Sequence, residues 1–282
     1  MILDWNKFVE SVGEIPIEDH QSYIDAMVLG MADKLFFVSR INPDVIVDFG
    51  CADGKMLASV KNIFPEIKLI AYDIDEKMLT KARANLGDDA VVTSDWNVVL
   101  EEIKGFHRPT LVLSSVIHEV YSYSTTRDVR DFWDKIVFGG SFKYISIRDM
   151  IPSVAMDSHD VELFKDDVEQ VRDLSIPKYL NSFEKIWGDI DKSYRTFVHY
   201  LLKYKYIDNW QREVKENYVP IALETLLKKV PSTYKIKYRL SYIYKYLADE
   251  IMKDFGITLH HTTHTKLIIE NTKFQYKKNT SE

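Results

Sequence analysis

The chain predicts an α/β protein: a doubly wound, mostly parallel sheet with N-terminal helices and a helical insertion ahead of its last two strands. Three observations carry that prediction. Between residues 43 and 150, short apolar runs with few polar breaks alternate with helical patterns, as strands buried on both faces of a parallel sheet do. From 157 to 216 the sequence is charged and helix-periodic, with no strand signal. Strand patterns then return at 235–243 and 263–270.

Residues 5–40 read as two helices, with Met27, Met31, Leu35 and Val38 at helical spacing. Pro43 separates them from a strand at Val45–Phe49. Met56, Leu57, Val60, Ile63 and Phe64 then form one face of a helix that stops at Pro65. A second strand spans 68–74, and Met78, Leu79, Ala82 and Leu86 mark a second helix with Asp75 as its N-cap. Further strands are expected near 91–93, at 110–116 and at 142–147, with a helix over 126–137 and a turn at Gly139–Gly140. In the insertion, Leu180, Phe183, Ile186, Ile190, Tyr194, Phe197, Leu201 and Leu202 give a long apolar stripe, read as an extra helical layer or a lid. A helix at 221–230 precedes the two late strands, and the tail is expected to fray. The chain thus divides into 1–150, 151–216 and 217–282.

Composition narrows the function classes. With 282 residues, 46% apolar and 28% charged, the chain suits one large α/β domain plus a lid. One cysteine, Cys51, excludes a disulfide framework and a multi-cysteine zinc site. No basic leader and no run of roughly 18 apolar residues is present, so the expectation is a cytoplasmic protein without a membrane span. Net charge is −6 but uneven: residues 151–191 are acidic, whereas 192–246 carry 12 Lys+Arg against 4 Asp+Glu and ten tyrosines.

The sharpest motif is Asp48-Phe49-Gly50-Cys51-Ala52-Asp53-Gly54, between a strand and a helix. Small residues at every second position let the backbone turn and approach a ligand, and the following helix N-terminus offers N–H groups to an anion. A dinucleotide fingerprint needs glycine at 50, 52 and 55; position 55 is Lys. Asp73 ends the second strand, where a carboxylate can accept both hydroxyls of a ribose.

With these residues the chain resembles the class I, Rossmann-like S-adenosylmethionine (SAM) dependent methyltransferases, well over 43–150, loosely over the last helix and strands, and not over 151–216. Asp48, Gly50, Ala52 and Gly54 match the family's first motif, with Ala52 in place of its middle glycine. The resemblance implies SAM as cofactor, with Asp48 at its amino group. The stretch AYDIDEKMLTKAR is similar to the second motif and adds Asp73 and Ile74. Ser94-Asp95-Trp96 implies Asp95 at the adenine amino group and Trp96 at the ring, through its backbone N–H or by covering it. LVLSSVIHEVYSY is similar to the fourth motif, which places Ser114 and Ser115 beside the methyl group. Arg148 and Asp149 follow at the carboxyl edge of the sheet, where such sheets place ligands.

Methyl transfer to an O–H or N–H group must align the nucleophile and manage one proton. His118 is the expected base, since histidine titrates near neutrality, with Glu119 as its orienter or as a substrate contact. The sequence lacks both the Pro-Pro-aromatic motif of amino-group DNA methylases and a Pro-Cys nucleophile. Lys34 is a candidate for the SAM carboxylate or a solvated helix lysine. His260, His261 and His264 lack an acidic partner nearby, so no metal site is expected. Interleaved cations and tyrosines over 192–246 suit phosphates and bases, which puts a nucleic-acid acceptor slightly ahead of a small molecule; the same cations could instead pair with the acidic 151–191. Two other readings stand: a small-molecule O- or N-methyltransferase with a helical lid, and a silent SAM-binding scaffold. The Ser-Ser-x-x-His-Glu motif with the late basic half also resembles methyltransferases of phages and bacteria, which names no acceptor. Oligomeric state is not legible.

Overall fold

A computed structural model describes residues 30–157 and 161–275. Its centre is a seven-stranded sheet in the order β3-β2-β1-β4-β5-β7-β6. The strands are β1 (Val45–Phe49), β2 (Lys68–Tyr72), β3 (Ala90–Thr93), β4 (Pro109–Ser114), β5 (Tyr144–Asp149), β6 (Tyr234–Tyr242) and β7 (His264–Asn271). The first five are parallel. The last strand enters antiparallel between β5 and β6.

The helices are α1 (Met31–Lys34), α2 (Lys55–Ile63), α3 (Glu76–Leu86), α4 (Trp96–Glu102), α5 (Ile117–Tyr123) and α6 (Thr126–Asp131), followed by α7 (Lys165–Leu174), α8 (Pro177–Trp187), α9 (Tyr194–Leu201), α10 (Trp210–Glu213), α11 (Leu223–Lys229) and α12 (Lys245–Phe255). All five residues of β1 are buried, as suits an apolar strand in the middle of a parallel sheet, and Asp48 is buried with them. Val45, Val47 and Phe49 face a core shared with α4, α5 and α11. Ile46 faces the opposite core, against Leu57 and Val60 of α2 and Leu79 and Ala82 of α3. The sheet is therefore covered on both sides, the doubly wound, Rossmann-like arrangement. Asp75 caps α3 by accepting from the Lys77 N–H at 2.8 Å.

The insertion has a core of its own, built from Val168, Val171, Leu180, Phe183, Phe197, Leu201 and Trp210 with Leu247, Ile251 and Phe255 of α12. The sequence reading missed α12. Its three core residues recur every fourth position, but they lie between two strand patterns, and Gly256 ends the helix at φ +68°. Ile186, expected in the apolar stripe, is instead 48% exposed.

Three boundaries also move. The strand expected over 110–116 stops at Ser114, because Ser115 turns at φ +56°. The strand expected at 142–147 runs Tyr144–Asp149, leaving Phe142 as core packing. The helix expected over 126–137 changes to a π-helical turn at Phe132–Val137, which buries four residues in a row's width of one face. Most of the two N-terminal helices, Met27 included, lies outside the described residues. In the described part a single turn, α1, leads into a 3-10 turn at Leu35–Phe37, with Phe36 and Phe37 as the buried residues. Among the described residues no helix is long and apolar enough to cross a membrane.

Candidate active site

Parallel register aligns the carboxyl ends of Phe49, Tyr72 and Leu113, and of Ser114 with Arg148. Asp48, Asp73, Asp95, Ser114 and Asp149 are thereby gathered at one edge of the sheet. The loop after β1 takes left-handed backbone at every second position: Gly50 (φ +75°), Ala52 (φ +48°) and Gly54 (φ +76°). Side chains are excluded at two of these. A Cβ on Gly50 would lie 2.7 Å from Val116 Cγ2, and one on Gly54 2.9 Å from Leu86 Cδ1. Ala52 carries its Cβ in a conformation that costs an L-residue roughly 1–2 kcal/mol. Its N–H donates to Asp73 Oδ2 at 2.8 Å, which holds the loop against the end of β2.

Asp73 also accepts the Asp75 N–H at 2.9 Å. Burial raises its carboxyl, and these backbone donors pull it part of the way back. Each oxygen keeps a second lone pair, so the carboxylate can still accept from hydroxyls. Asp48 is fully buried; burial pushes it up to about 7, against the pull of Lys34 and with a push from Asp73. Lys34 is itself lowered to about 8 by burial and by Arg148, while Asp48, Asp53 and Asp149 favour its charge. It stands among the acids of the site rather than on a solvated helix face. Ile74 is half-buried, packed against the core.

Two residues assigned to the adenine end take other places. Asp95 is exposed and caps α4, accepting the Asn97 N–H at 2.8 Å. Trp96 is only 7% exposed, with edge-to-face contacts to Phe49 and Tyr72 at ring centroids of 5.5 and 5.1 Å. The indole is a core side chain, not a cover over an open pocket, which leaves its backbone as the part able to meet a ligand. Ser114 sits at the end of β4 with a buried Oγ that has no hydrogen-bond partner among the described residues.

Beyond β4, α5 carries His118 and Glu119. Asp149, from the end of β5, accepts the Ile117 N–H at 2.6 Å and bonds His118 Nδ1 at 2.9 Å. The other ring nitrogen faces Glu216 Oε2 at 3.6 Å. Burial works against a charged imidazole here, but Asp149, Glu216 and Glu119 overcome it and raise the pKa to about 9. With Nδ1 bonded to Asp149 and Nε2 turned to Glu216, both ring nitrogens of His118 face carboxylates of the fold, which argues against its assignment as the base. Burial raises the Glu119 carboxyl, although Arg212 draws it down.

The sequence reading did not identify the partners from the insertion. Arg212 of α10 pairs with Glu119 Oε1 at 3.0 Å and with Glu216 Oε1 at 2.8 Å. Glu216 also accepts from Tyr123 Oη at 2.9 Å, and the Asn217 N–H donates to Ser122 Oγ at 2.7 Å. Glu213 accepts from Tyr218 Oη, and the Tyr218 ring packs edge-on against His118. Residues 210–218 thus form a tongue laid on α5. Lys203, fully buried, holds that tongue from inside the insertion by donating to the Glu213 and Glu216 carbonyls at 2.8 and 2.6 Å. The only sequence signal for this tongue was the mixed charge of 208–216.

One ligand atom each from His118, Glu119 and Glu216 lie within 4.8 Å of one another. Arg212 already supplies the positive charge between the two carboxylates, so the group is a salt-bridge network. The late histidines do not converge on one another. His264 is buried between Tyr242 and Tyr244, while His261 packs on Tyr194 and His260 on Phe164. Much of the basic, tyrosine-rich stretch is used within the fold. Tyr194, Tyr200, Tyr218 and Tyr234 are buried. Arg195 pairs with Asp157, Lys205 with Glu250 and Asp254, and Lys237 with Glu270.

No protein-family model and no curated protein matches this chain. Among solved structures, the chain is similar to the plantazolicin methyltransferase BamL in complex with a triazolic desmethylPZN analogue and SAH: 10% identity, over 95% of this chain and 91% of that one, TM-score 0.48. It is similar to a SAM-dependent methyltransferase from Archaeoglobus fulgidus at 15% identity, over 89% of this chain and all 100% of that one, TM-score 0.47. For the mitomycin 7-O-methyltransferase MmcR the values are 13% identity, 94% of this chain, 60% of that one and a TM-score of 0.48. These likenesses are distant, and the chemistry of the site rests on its own residues.

Proposed function

We propose that this chain is a class I SAM-dependent methyltransferase that methylates an O or N atom of an acceptor held between α5 and the tongue 210–218. The observation that carries the reading is the loop 50–54, with its alternating left-handed residues clamped to Asp73. A Cβ at Gly50 would meet Val116 and one at Gly54 would meet Ala82 and Leu86, so the two glycines let the loop pack tightly against its own fold. The donor set suits SAM: Asp48 for an ammonium, Asp73 for ribose hydroxyls, the first turn of α2 for a carboxylate and the backbone at 95–96 for adenine. When bound, SAM supplies a methyl group activated on a sulfonium.

The chain's own residues do the rest. Glu119, raised by burial, takes the proton that the acceptor loses. Arg212 holds that carboxylate in place, and His118, locked by Asp149, fixes α5 and the tongue as a charged strut. Ser114 offers its unpartnered hydroxyl at the end of β4. In this reading residues 151–216 are a lid. Because the lid lies directly on His118 and Glu119, a small acceptor is favoured. A nucleic-acid acceptor keeps one specific support, an open groove beside Tyr121 lined by Arg127, Arg130, Arg195 and Lys229.

Two experiments test the proposal. Calorimetry should detect SAM binding by the wild-type chain and its loss by roughly tenfold or more in Asp73→Ala; unchanged affinity in that variant would remove Asp73 from the site. Labelled SAM added with the protein to a fractionated cell extract should mark the small-molecule fraction. Label in RNA or DNA would transfer the acceptor role to the basic groove.

A further inference from the structure

A helix of four residues does not hold itself in place. The described helix α1 (Met31–Lys34) has no fully buried residue and no side-chain N-cap, and Met31 packs only half-buried against the core. Its strongest polar tie comes from one side chain. Asp33 Oδ2 accepts from Arg148 Nε at 2.7 Å and from Tyr242 Oη at 2.6 Å, and its other oxygen pairs with Lys266 Nζ. These donors come from β5, β6 and β7, three adjacent strands at one edge of the sheet. Burial opposes the charge on Asp33, yet Arg148, Lys266 and Tyr242 hold its carboxyl below the usual range.

The residue after Asp33 is Lys34. Its ammonium lies in the field of Asp48, Asp53 and Asp149. Among the described residues it closes no ion pair with any of them. A cation in the field of three carboxylates that closes an ion pair with none of them has donors to spare, and one of those acids, Asp53, belongs to the glycine loop. Arg148 also donates from Nη1 to Ser115 Oγ at 2.8 Å, so the same cluster braces the left-handed turn after β4.

We propose that Asp33 is a positioning residue: it latches α1 to the edge of the sheet so that Lys34 receives the carboxylate at the amino-acid end of the cofactor. The inference rests on the methyltransferase reading and adds a residue whose effect passes through its neighbour. It makes cofactor affinity depend on side chains of β6 and β7 that do not themselves reach the glycine loop.

The test is a cycle of SAM affinities by calorimetry on the full chain, repeated with the SAM analogue that lacks the carboxylate. Lys34→Met and Asp33→Asn should each weaken SAM binding about tenfold, the scale of one lost charge-assisted contact. The double variant should be no weaker than the worse single one, since both remove the same contact. The decarboxylated analogue should bind all three variants as it binds the wild type. Additive losses, or equal weakening towards both ligands, overturn the latch. Should Asp33→Asn fail to fold, Tyr242→Phe removes one donor only and should weaken SAM about threefold while sparing the analogue; a change shared by both ligands counts against the proposal. A wild type that binds neither ligand overturns the methyltransferase reading itself, which the affinity of the wild type reports before any variant is compared.

Discussion

The two halves of the site are made in opposite ways. The half proposed for the cofactor is a stretch of five consecutive residues, 50–54, whose shape comes from backbone dihedrals and from glycine at 50 and 54. The half proposed for the acceptor is a set of long charged side chains, His118, Glu119, Arg212 and Glu216, brought together from segments almost a hundred residues apart. The first is fixed by local sterics and tolerates almost no added atom. The second is fixed by mutual charge and depends on its ion pairs and hydrogen bonds staying closed. Backbone sites fail by loss of shape, and charge networks by loss of one partner.

That contrast can be broken from either side. The largest effect is expected from Gly50→Ala, which adds a Cβ 2.7 Å from Val116 at φ +75°. It should cost about 3 kcal/mol of stability in urea unfolding and abolish SAM binding; a stable variant with normal affinity would refute the steric account. Next, Arg212→Met leaves Glu119 and Glu216 without their shared cation. Turnover should fall roughly 100-fold while SAM affinity moves by less than about threefold. Equal losses in both would mean that the two halves are not separable.

A smaller effect concerns pH. The folded His118 has its pKa raised to about 9 from the ordinary value near 6.5. Its contribution to stability is therefore complete below the unfolded pKa and is lost as pH rises through about 9. The stability gap between wild type and His118→Gln should narrow from pH 6 to pH 9.5; a gap that holds constant would show that the imidazole is not charged in the fold. The smallest effect is Ala52→Gly, which relieves the left-handed alanine at φ +48°. The offsetting entropy of glycine limits the gain to about 1 kcal/mol or less.

Legibility in the sequence follows the same division. The loop was legible because Asp48, Gly50, Ala52 and Gly54 are adjacent and follow a buried strand. Asp75 as a cap was legible for the same local reason. Trp96 was misread: a tryptophan next to a ligand loop and a tryptophan in the core have the same neighbours in sequence, and only the rings of Phe49 and Tyr72 separate the two. The surroundings of His118 were not legible, because Asp149 and Glu216, which face its two ring nitrogens, stand 31 and 98 positions away. The charges of 192–246 suggested a surface for nucleic acid. Many of them close on acids within the fold, a pairing that composition does not reveal.

The placement of β7 bears on how the chain matures. On the ribosome β1 to β5 emerge in order, yet the neighbour of β5 is the last strand of all, His264–Asn271. Until those residues are made, the hydrogen-bonding edge of β5 stays bare, and bare edges invite pairing with other chains. The helical insertion waits as well, since its core takes Leu247, Ile251, Phe255, Ile257 and Leu259 from between β6 and β7. A nascent chain stopped before residue 264 therefore carries a sticky edge and an unfinished insertion, and synthesis up to that residue is the interval in which this fold most needs a chaperone.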